Sequence, residues 1–227
     1  TMVDRIVPAT SDGDIAEITE ALGVEDAWPV VSEPFGQWVI EDRFPTGRPD
    51  FAAVGAEMVS DVEGHERMKL RMLNGSHSTL AYLGYLGGYQ TVAQAMADPA
   101  YEALVRGLMT EEVMPTLQMP GTDLGGYREA LLARFHNPAL QHRTWQIAMD
   151  GSQKLPQRLL GTVRDRIAAG ASFERLALGV AAWMRYVTGT DDAGAPIDVR
   201  DPLADRLRAI GEEASRDPDR LAAAYLG

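Results

Sequence analysis

The sequence predicts a mainly α protein, a single multi-helical domain carrying a small β-hairpin near its N-terminus. After Pro49, apolar residues recur at helical spacing, and proline and glycine fall in the gaps between the runs. Strand-forming residues cluster only in Trp28-Pro29-Val30-Val31 and Gln37-Trp38-Val39-Ile40, on either side of Glu33-Pro34-Phe35-Gly36. The 227 residues, 45% of them hydrophobic, 24% charged and 7% aromatic, suffice for one large core or two modest ones.

The elements follow in order. Ser11-Asp12 ahead of Ile15, Ile18 and Leu22 reads as a capped helix with acid on its first turn, where the dipole favours it, and Gly23 as its stop. The hairpin comes next. A helix from about Gly64 to Tyr85 runs without proline and ends at Gly87-Gly88. Further helices are expected over Pro99 to Met114, Leu124 to Phe135, Arg143 to Met149, Leu155 to Ala169, Phe173 to Val187, Leu203 to Glu213 and Arg220 to Tyr225. No linker, internal repeat or low-complexity tract interrupts them.

Composition excludes several classes of function. Twenty-one basic against thirty-three acidic residues leave a net charge of −12 and a pI of about 4.7, so neither nucleic acid nor an anionic membrane is an expected partner. The absence of cysteine removes disulfides, thiolate metal sites and a thiol nucleophile. The longest apolar run, Leu176 to Met184, is about half of the roughly 20 residues a bilayer requires. Thr-Met-Val-Asp-Arg at the start lacks the apolar core of a secretory signal, and a cytoplasmic location is expected. His65, His77, His136 and His142 form no H-x(3)-H pair, so no metal is expected, and no G-x-S-x-G elbow points to a hydrolase.

Chemistry concentrates on the long helix. At 100° per residue, with Lys69 at 0°, Glu66 falls at about 60°, His77 at about 80° and Asn74 at about 140°. Leu70 and Leu73 share that arc, while Met68, Met72 and Leu83 occupy the other side, the pattern of a buried helix. The same spacing also fits a solvated polar stripe. An ammonium taken out of water has its pKa pushed down and becomes a usable general acid and base. Gly75 weakens a helix by roughly 1 kcal/mol relative to Ala, and close approach of a substrate or another backbone would account for it.

Lys69, Asn74 and His77, spaced K-x(4)-N-x(2)-H, resemble the signature of the polyol-specific long-chain dehydrogenases, the mannitol dehydrogenase family, which includes fructuronate and tagaturonate reductases. Met-Val-Asp-Arg-Ile at 2 to 6, Ser-Glu-Pro-Phe-Gly-Gln-Trp-Val-Ile-Glu-Asp at 32 to 42, Met-Lys-Leu-Arg-Met-Leu-Asn-Gly-Ser-His-Ser at 68 to 78, Tyr-Leu-Gly-Tyr-Leu-Gly-Gly at 82 to 88 and Met-Asp-Gly-Ser-Gln-Lys at 149 to 154 extend the likeness over most of the chain. The resemblance implies that residues 1–227 are the C-terminal substrate domain, with a fold like the C-terminal domain of 6-phosphogluconate-dehydrogenase-like oxidoreductases. It further implies that Lys69 is the acid-base, that Asn74 steadies the substrate oxygen, and that His77 binds and orients the substrate.

Other positions carry over from the same likeness, each beside a plainer role. Glu66 matches a glutamate near the lysine that relays protons or tunes it; an ordinary helix ion pair also accounts for it. Asp4 matches an aspartate at the domain junction, or simply holds Arg5. Lys154 matches a second lysine near the substrate, or is a solvated surface lysine. Glu33 and Trp38 either border the site or belong to the core. At Gln146, eight residues before Lys154, the mannitol 2-dehydrogenases of the family carry arginine, and His142-Arg143-Thr144-Trp145-Gln146-Ile147 resembles the uronate reductase branch more closely. With Arg143 and Gln146 on one helix, the Arg143 guanidinium would grip a uronate carboxylate, or only neutralise a surface acid.

The family places a Rossmann domain ahead of this segment, yet no G-x-G-x-x-G follows a strand here. NAD is therefore expected to be bound mainly by an N-terminal nucleotide-binding domain outside this chain. The expected function is an NAD(H)-dependent, metal-independent interconversion of a polyol or aldonate with its keto-sugar or keto-uronate. The competing expectation is a non-catalytic helical scaffold that binds a sugar or a protein.

Overall fold

The computed structural model describes residues 1–214 and 217–226. Where one domain was expected, the chain divides into two compact units, Thr1–Arg67 with Pro138–Gln141, and Met68–Asn137 with His142–Gly227.

The first unit corrects the hairpin. Strand β1 (Met2–Asp4) precedes helix α1 (Asp12–Leu22), strand β2 (Gln37–Glu41), strand β3 (Glu57–Val59) and helix α2 (Glu63–Met68). β2 is the middle strand, antiparallel to β1 with Val3 opposite Trp38, and parallel to β3 with Ile40 opposite Met58. Trp28 to Val31 is no strand: Pro29 cannot donate to a ladder and Trp28 lies 84% exposed. The strands that pair with β2 are too short to show period-2 patterning. α1 does form as capped, with Ser11 accepting from the Asp14 N–H, Asp14 reaching back to the Ser11 N–H, and Gly23 left-handed at its end.

The second unit is helical: α3 (Gly75–Leu86), α4 (Val92–Met96), α5 (Pro99–Gly107), α6 (Leu124–Phe135), α7 (Thr144–Ala148), α8 (Gly151–Leu155), α9 (Gly161–Ala168), α10 (Glu174–Tyr186), α11 (Ala204–Glu213) and α12 (Pro218–Leu226). α3 is its axis. It packs on α10 and α7, and Gly75 through Tyr82 are all buried, as an apolar-all-round helix must be. α10 is seated through the buried Glu112, whose two carboxylate oxygens accept from the Arg175 and Leu176 N–H groups at 2.9 and 2.8 Å, a negative charge at a helix N-terminus.

Three segments leave α geometry for π-helix: Lys69–Asn74, which joins α2 to α3, Leu108–Val113 after α5, and Pro156–Leu160 between α8 and α9. Such turns are rare and recur at functional sites, and here the first packs against both others.

Candidate functional site

The π turn revises the helical arc expected for Lys69, Asn74 and His77. In Lys69–Asn74 the backbone bonds five residues apart, ending with the Gly75 N–H donated to the Leu70 carbonyl. Residues 69 and 74 are thereby drawn toward one face, more nearly stacked than at α spacing. Lys69 and Asn74 are half-buried and His77 is only 5% exposed, so they are not a solvated stripe.

Gly75 lies where another backbone closes in. A Cβ built there would stand 2.8 Å from the Arg158 carbonyl oxygen, on the π turn after α8. That contact brings a second set of residues to the first. Arg158 donates from Nη1 to the Ser78 hydroxyl at 3.1 Å, one residue beyond His77. Lys154 stands one turn before Arg158 on α8 and its continuation.

The motif at 149 to 154 owes its shape to this region. Asp150 adopts a left-handed conformation with φ of 57°, at the sharp junction of α7 and α8. Gly151 follows because a Cβ there would run into the Tyr82 hydroxyl and the Trp183 indole nitrogen. Ser152 is held by Asp201 through its N–H at 2.8 Å and its hydroxyl at 2.6 Å. Lys154 then turns back, donating from Nζ to the Met149 carbonyl at 2.6 Å, with the Asp150 carboxylate 3.7 Å away.

His142 closes the cluster, its ring edge-on to His77 with centroids 5.1 Å apart, while Phe135 packs on the His77 ring at 4.5 Å. Burial holds both imidazoles neutral. His77 lies well below its ordinary pKa, first through burial and then through the charges of His142, Arg158, Arg134 and Lys69. His142 is pushed down to about 4, by burial and then by Lys154. His77 Nε2 and His142 Nδ1 are buried without a hydrogen-bond partner. Burial also lowers Lys154 and Arg158, with Arg158 adding to the effect on Lys154 and Asp150 opposing it. Two neutral imidazoles, each with a buried nitrogen that has no hydrogen-bond partner, therefore stand among several cations, an arrangement that leaves polar groups unsatisfied.

The remaining expected site residues fall as follows. Gln146 is half-buried on α7. Arg143 is not on that helix, contrary to expectation. It is the extended residue before α7, bridged to Thr91, so its side chain points opposite to that of His142. It is exposed and lines a separate shallow cavity with Tyr85, Tyr89, Gln90, Trp145 and Asp191. In the first unit, Asp4 is fully buried in β1, while Arg5, the next residue, is exposed and donates to the Phe35 carbonyl. Glu66 is exposed on α2. Glu33 is buried and accepts from the Ile6 N–H at 2.6 Å; Trp38 is 40% exposed, its indole N–H bonded to the Thr1 hydroxyl.

Arg158 and His142, which the sequence does not single out, lie in the same cluster. The spacing of Lys154 and Arg158, four apart on one helix, was a legible sign of the first; the stacking of His142 on His77 joins residues far apart in sequence and left none. Among the described residues no three His, Asp or Glu side chains converge as a metal-binding group, and no helix is long and apolar enough to cross a membrane.

Residues 61–225 match the mannitol dehydrogenase C-terminal domain, and residues 1–53 match the mannitol dehydrogenase Rossmann domain. The chain belongs to the mannitol dehydrogenase family. It is 58% identical over 214 residues to the D-mannonate oxidoreductase of Escherichia coli (strain K12), covering 94% of this chain and 44% of that protein. It is 44% identical over 224 residues to a mannitol 2-dehydrogenase of Aspergillus fumigatus, covering 97% and 45%. Among solved structures it superposes with a TM-score of 0.90 and 42% identity on Pseudomonas fluorescens mannitol 2-dehydrogenase in ternary complex with NAD and D-mannitol, over 98% of this chain and 45% of that one. The chain thus spans about half the length of the relatives it matches.

Proposed function

We propose that this chain supplies the catalytic and substrate-binding residues of an NAD(H)-dependent oxidoreductase that interconverts a polyol or an aldonate with its keto-sugar. The observation that carries this reading is the convergence of Lys69, His77, His142 and Lys154 in the second unit, with a buried imidazole nitrogen left unpartnered. The kinship with a D-mannonate oxidoreductase and with mannitol 2-dehydrogenases supports it.

Oxidation of a secondary alcohol removes a proton from oxygen and a hydride from carbon. Nicotinamide, when bound, supplies the acceptor for the hydride. Lys69 takes the hydroxyl proton, and returns it in the reverse direction. Asn74, drawn by the π turn toward the Lys69 face, donates to the oxygen as negative charge develops on it. His77 Nε2 and Lys154 hold neighbouring hydroxyls and fix which carbon faces the lysine. Asp4, Glu66 and Gln146 are retained as substrate-side residues on the family resemblance alone. The scheme requires no metal.

The described residues fit a substrate better than a dinucleotide. Gly84 to Gly88 ends α3 and is no phosphate-binding turn. The Rossmann match covers residues 1–53 alone, so we assign the nucleotide mainly to a nucleotide-binding region outside these 227 residues. The net charge of −12 disfavours nucleic-acid and membrane partners, and a cytoplasmic location remains part of the proposal.

The test is to supply the chain with the nucleotide-binding region of a relative and follow NADH absorbance with fructose, fructuronate and tagaturonate. Oxidation of NADH with at least one of them is expected, unchanged by EDTA. No oxidation with any would overturn the reading, and activity lost to EDTA and restored by zinc would overturn its metal-free form.

A further inference from the structure

The guanidinium of Arg158 is set into the cluster, yet it has one hydrogen-bond acceptor, the Ser78 hydroxyl, and no carboxylate within ion-pair range among the described residues. Arg71, another arginine of the second unit that reaches inward, is matched by Asp165 at 2.6 Å, and the more exposed Arg175 pairs with Glu111 at 2.9 Å. Lys154 already has the Met149 carbonyl and the nearby Asp150. A guanidinium taken out of water without a counter-charge is costly, and the cost is recovered when an anion arrives.

Its surroundings say which anion fits. Arg158 is anchored beside Ser78, one residue from His77, and its charge bears directly on His77 and Lys154. A ligand group seated on Arg158 therefore belongs to the molecule whose oxygens meet His77. The planar fork accepts two oxygens of one group side by side, which suits a carboxylate. We infer that Arg158, steadied by Ser78, is the seat of a substrate carboxylate, and that the substrate is an aldonate and its keto-uronate in preference to a neutral hexitol and its ketose. This rests on the oxidoreductase reading above and moves the carboxylate contact from Arg143, which faces a different cavity, to Arg158.

The experiment compares kcat/KM for fructuronate and for fructose in the wild type and in Arg158→Gln, each completed with a nucleotide-binding region. The wild type is expected to favour fructuronate. In Arg158→Gln the fructuronate-to-fructose ratio should fall by a factor of about 10 to 100, chiefly through KM for fructuronate. A merely structural arginine would lower both substrates together, and that outcome overturns the inference, as does a wild type that favours fructose. Should Arg158→Gln not fold, Arg158→Lys keeps the charge and loses the fork; a selective loss for fructuronate is expected, and a parallel loss again overturns it. A wild type that oxidises NADH with neither substrate, nor with tagaturonate, brings down the oxidoreductase reading and this inference with it.

Discussion

The two sides of the cluster reach it by different routes. Lys69, Asn74 and His77 lie on one continuous helical stretch, so a local event, a π turn over Lys69–Asn74, sets their relative directions. His142 comes from the segment before α7, Lys154 from α8 and Arg158 from the π turn after it, and their positions depend on Thr91, Asp201, Gly151 and the approach to Gly75. The first side is a matter of helix register. The second is a matter of packing, so it should respond to substitutions that touch no substrate.

The largest effect is expected on the first side. Lys69→Ala should lower turnover by a factor on the order of 10² or more with folding retained, since Lys69 is half-buried rather than part of the packed core. Steady-state kcat in the nucleotide-complemented enzyme checks this, and near-wild-type turnover would remove Lys69 from the mechanism.

The junction between the two sides is Gly75. Alanine favours a helix by about 1 kcal/mol over glycine, so propensity alone predicts that Gly75→Ala stabilises. The added Cβ would stand 2.8 Å from the Arg158 carbonyl, a backbone atom that cannot swing aside. Overpacking of this kind costs typically about 1 to 3 kcal/mol, and we expect it to prevail. A denaturation midpoint raised by Gly75→Ala would show that the two helices separate freely.

These two sides also mark what the sequence made legible. Caps and stops are local chemistry, so α1 from Ser11 to Gly23 and α6 over Leu124–Phe135 could be read directly. The π turn could not, because one extra residue in a helical turn leaves the apolar pattern nearly unchanged while altering which side chains align. The sheet failed for another reason: β2 pairs with strands of three residues, one of them at the very start of the chain. Arg143 misled because the helix was expected to begin at 143 and begins at Thr144, which turns the guanidinium from the cluster to another cavity. Lys69, Asn74 and His77 are singled out by family likeness and spacing; their neighbours His142 and Arg158 are joined to them only by the fold.

Acidity probes the packed side. His142 is depressed to about 4 against an ordinary value of about 6.5, so between those limits the unfolded chain binds a proton that the folded chain excludes. Its contribution to stability is complete above about pH 6.5 and is lost as the pH falls toward 4; His77 acts in the same direction. The loss from His142 by pH 5 amounts to at most about 2 kcal/mol. Asp14, Asp42, Glu102 and Glu129 are held below the usual carboxylate range by their hydrogen bonds, so their acid losses fall at lower pH. Thermal midpoints at pH 7, 6 and 5 should fall for the wild type and fall less for His142→Gln. Equal slopes would mean that the imidazole takes up its proton without disturbing the fold.

The smallest effect is expected at Arg143, which tests whether the packed side begins at His142 or extends to the residue beside it. Arg143 is exposed, its backbone is extended and bridged to Thr91, and alternation turns its side chain toward Tyr85, Tyr89 and Asp191 rather than toward His77. Removing a surface side chain of this kind changes free energies by no more than about 0.5 kcal/mol, or about twofold in a rate ratio. Arg143→Ala should therefore leave the fructuronate-to-fructose ratio of kcat/KM within about twofold of the wild type. A selective loss for fructuronate beyond that would place the Arg143 guanidinium on the substrate. The carboxylate would then sit at the entrance to α7, and the cluster would extend past His142 onto the neighbouring cavity.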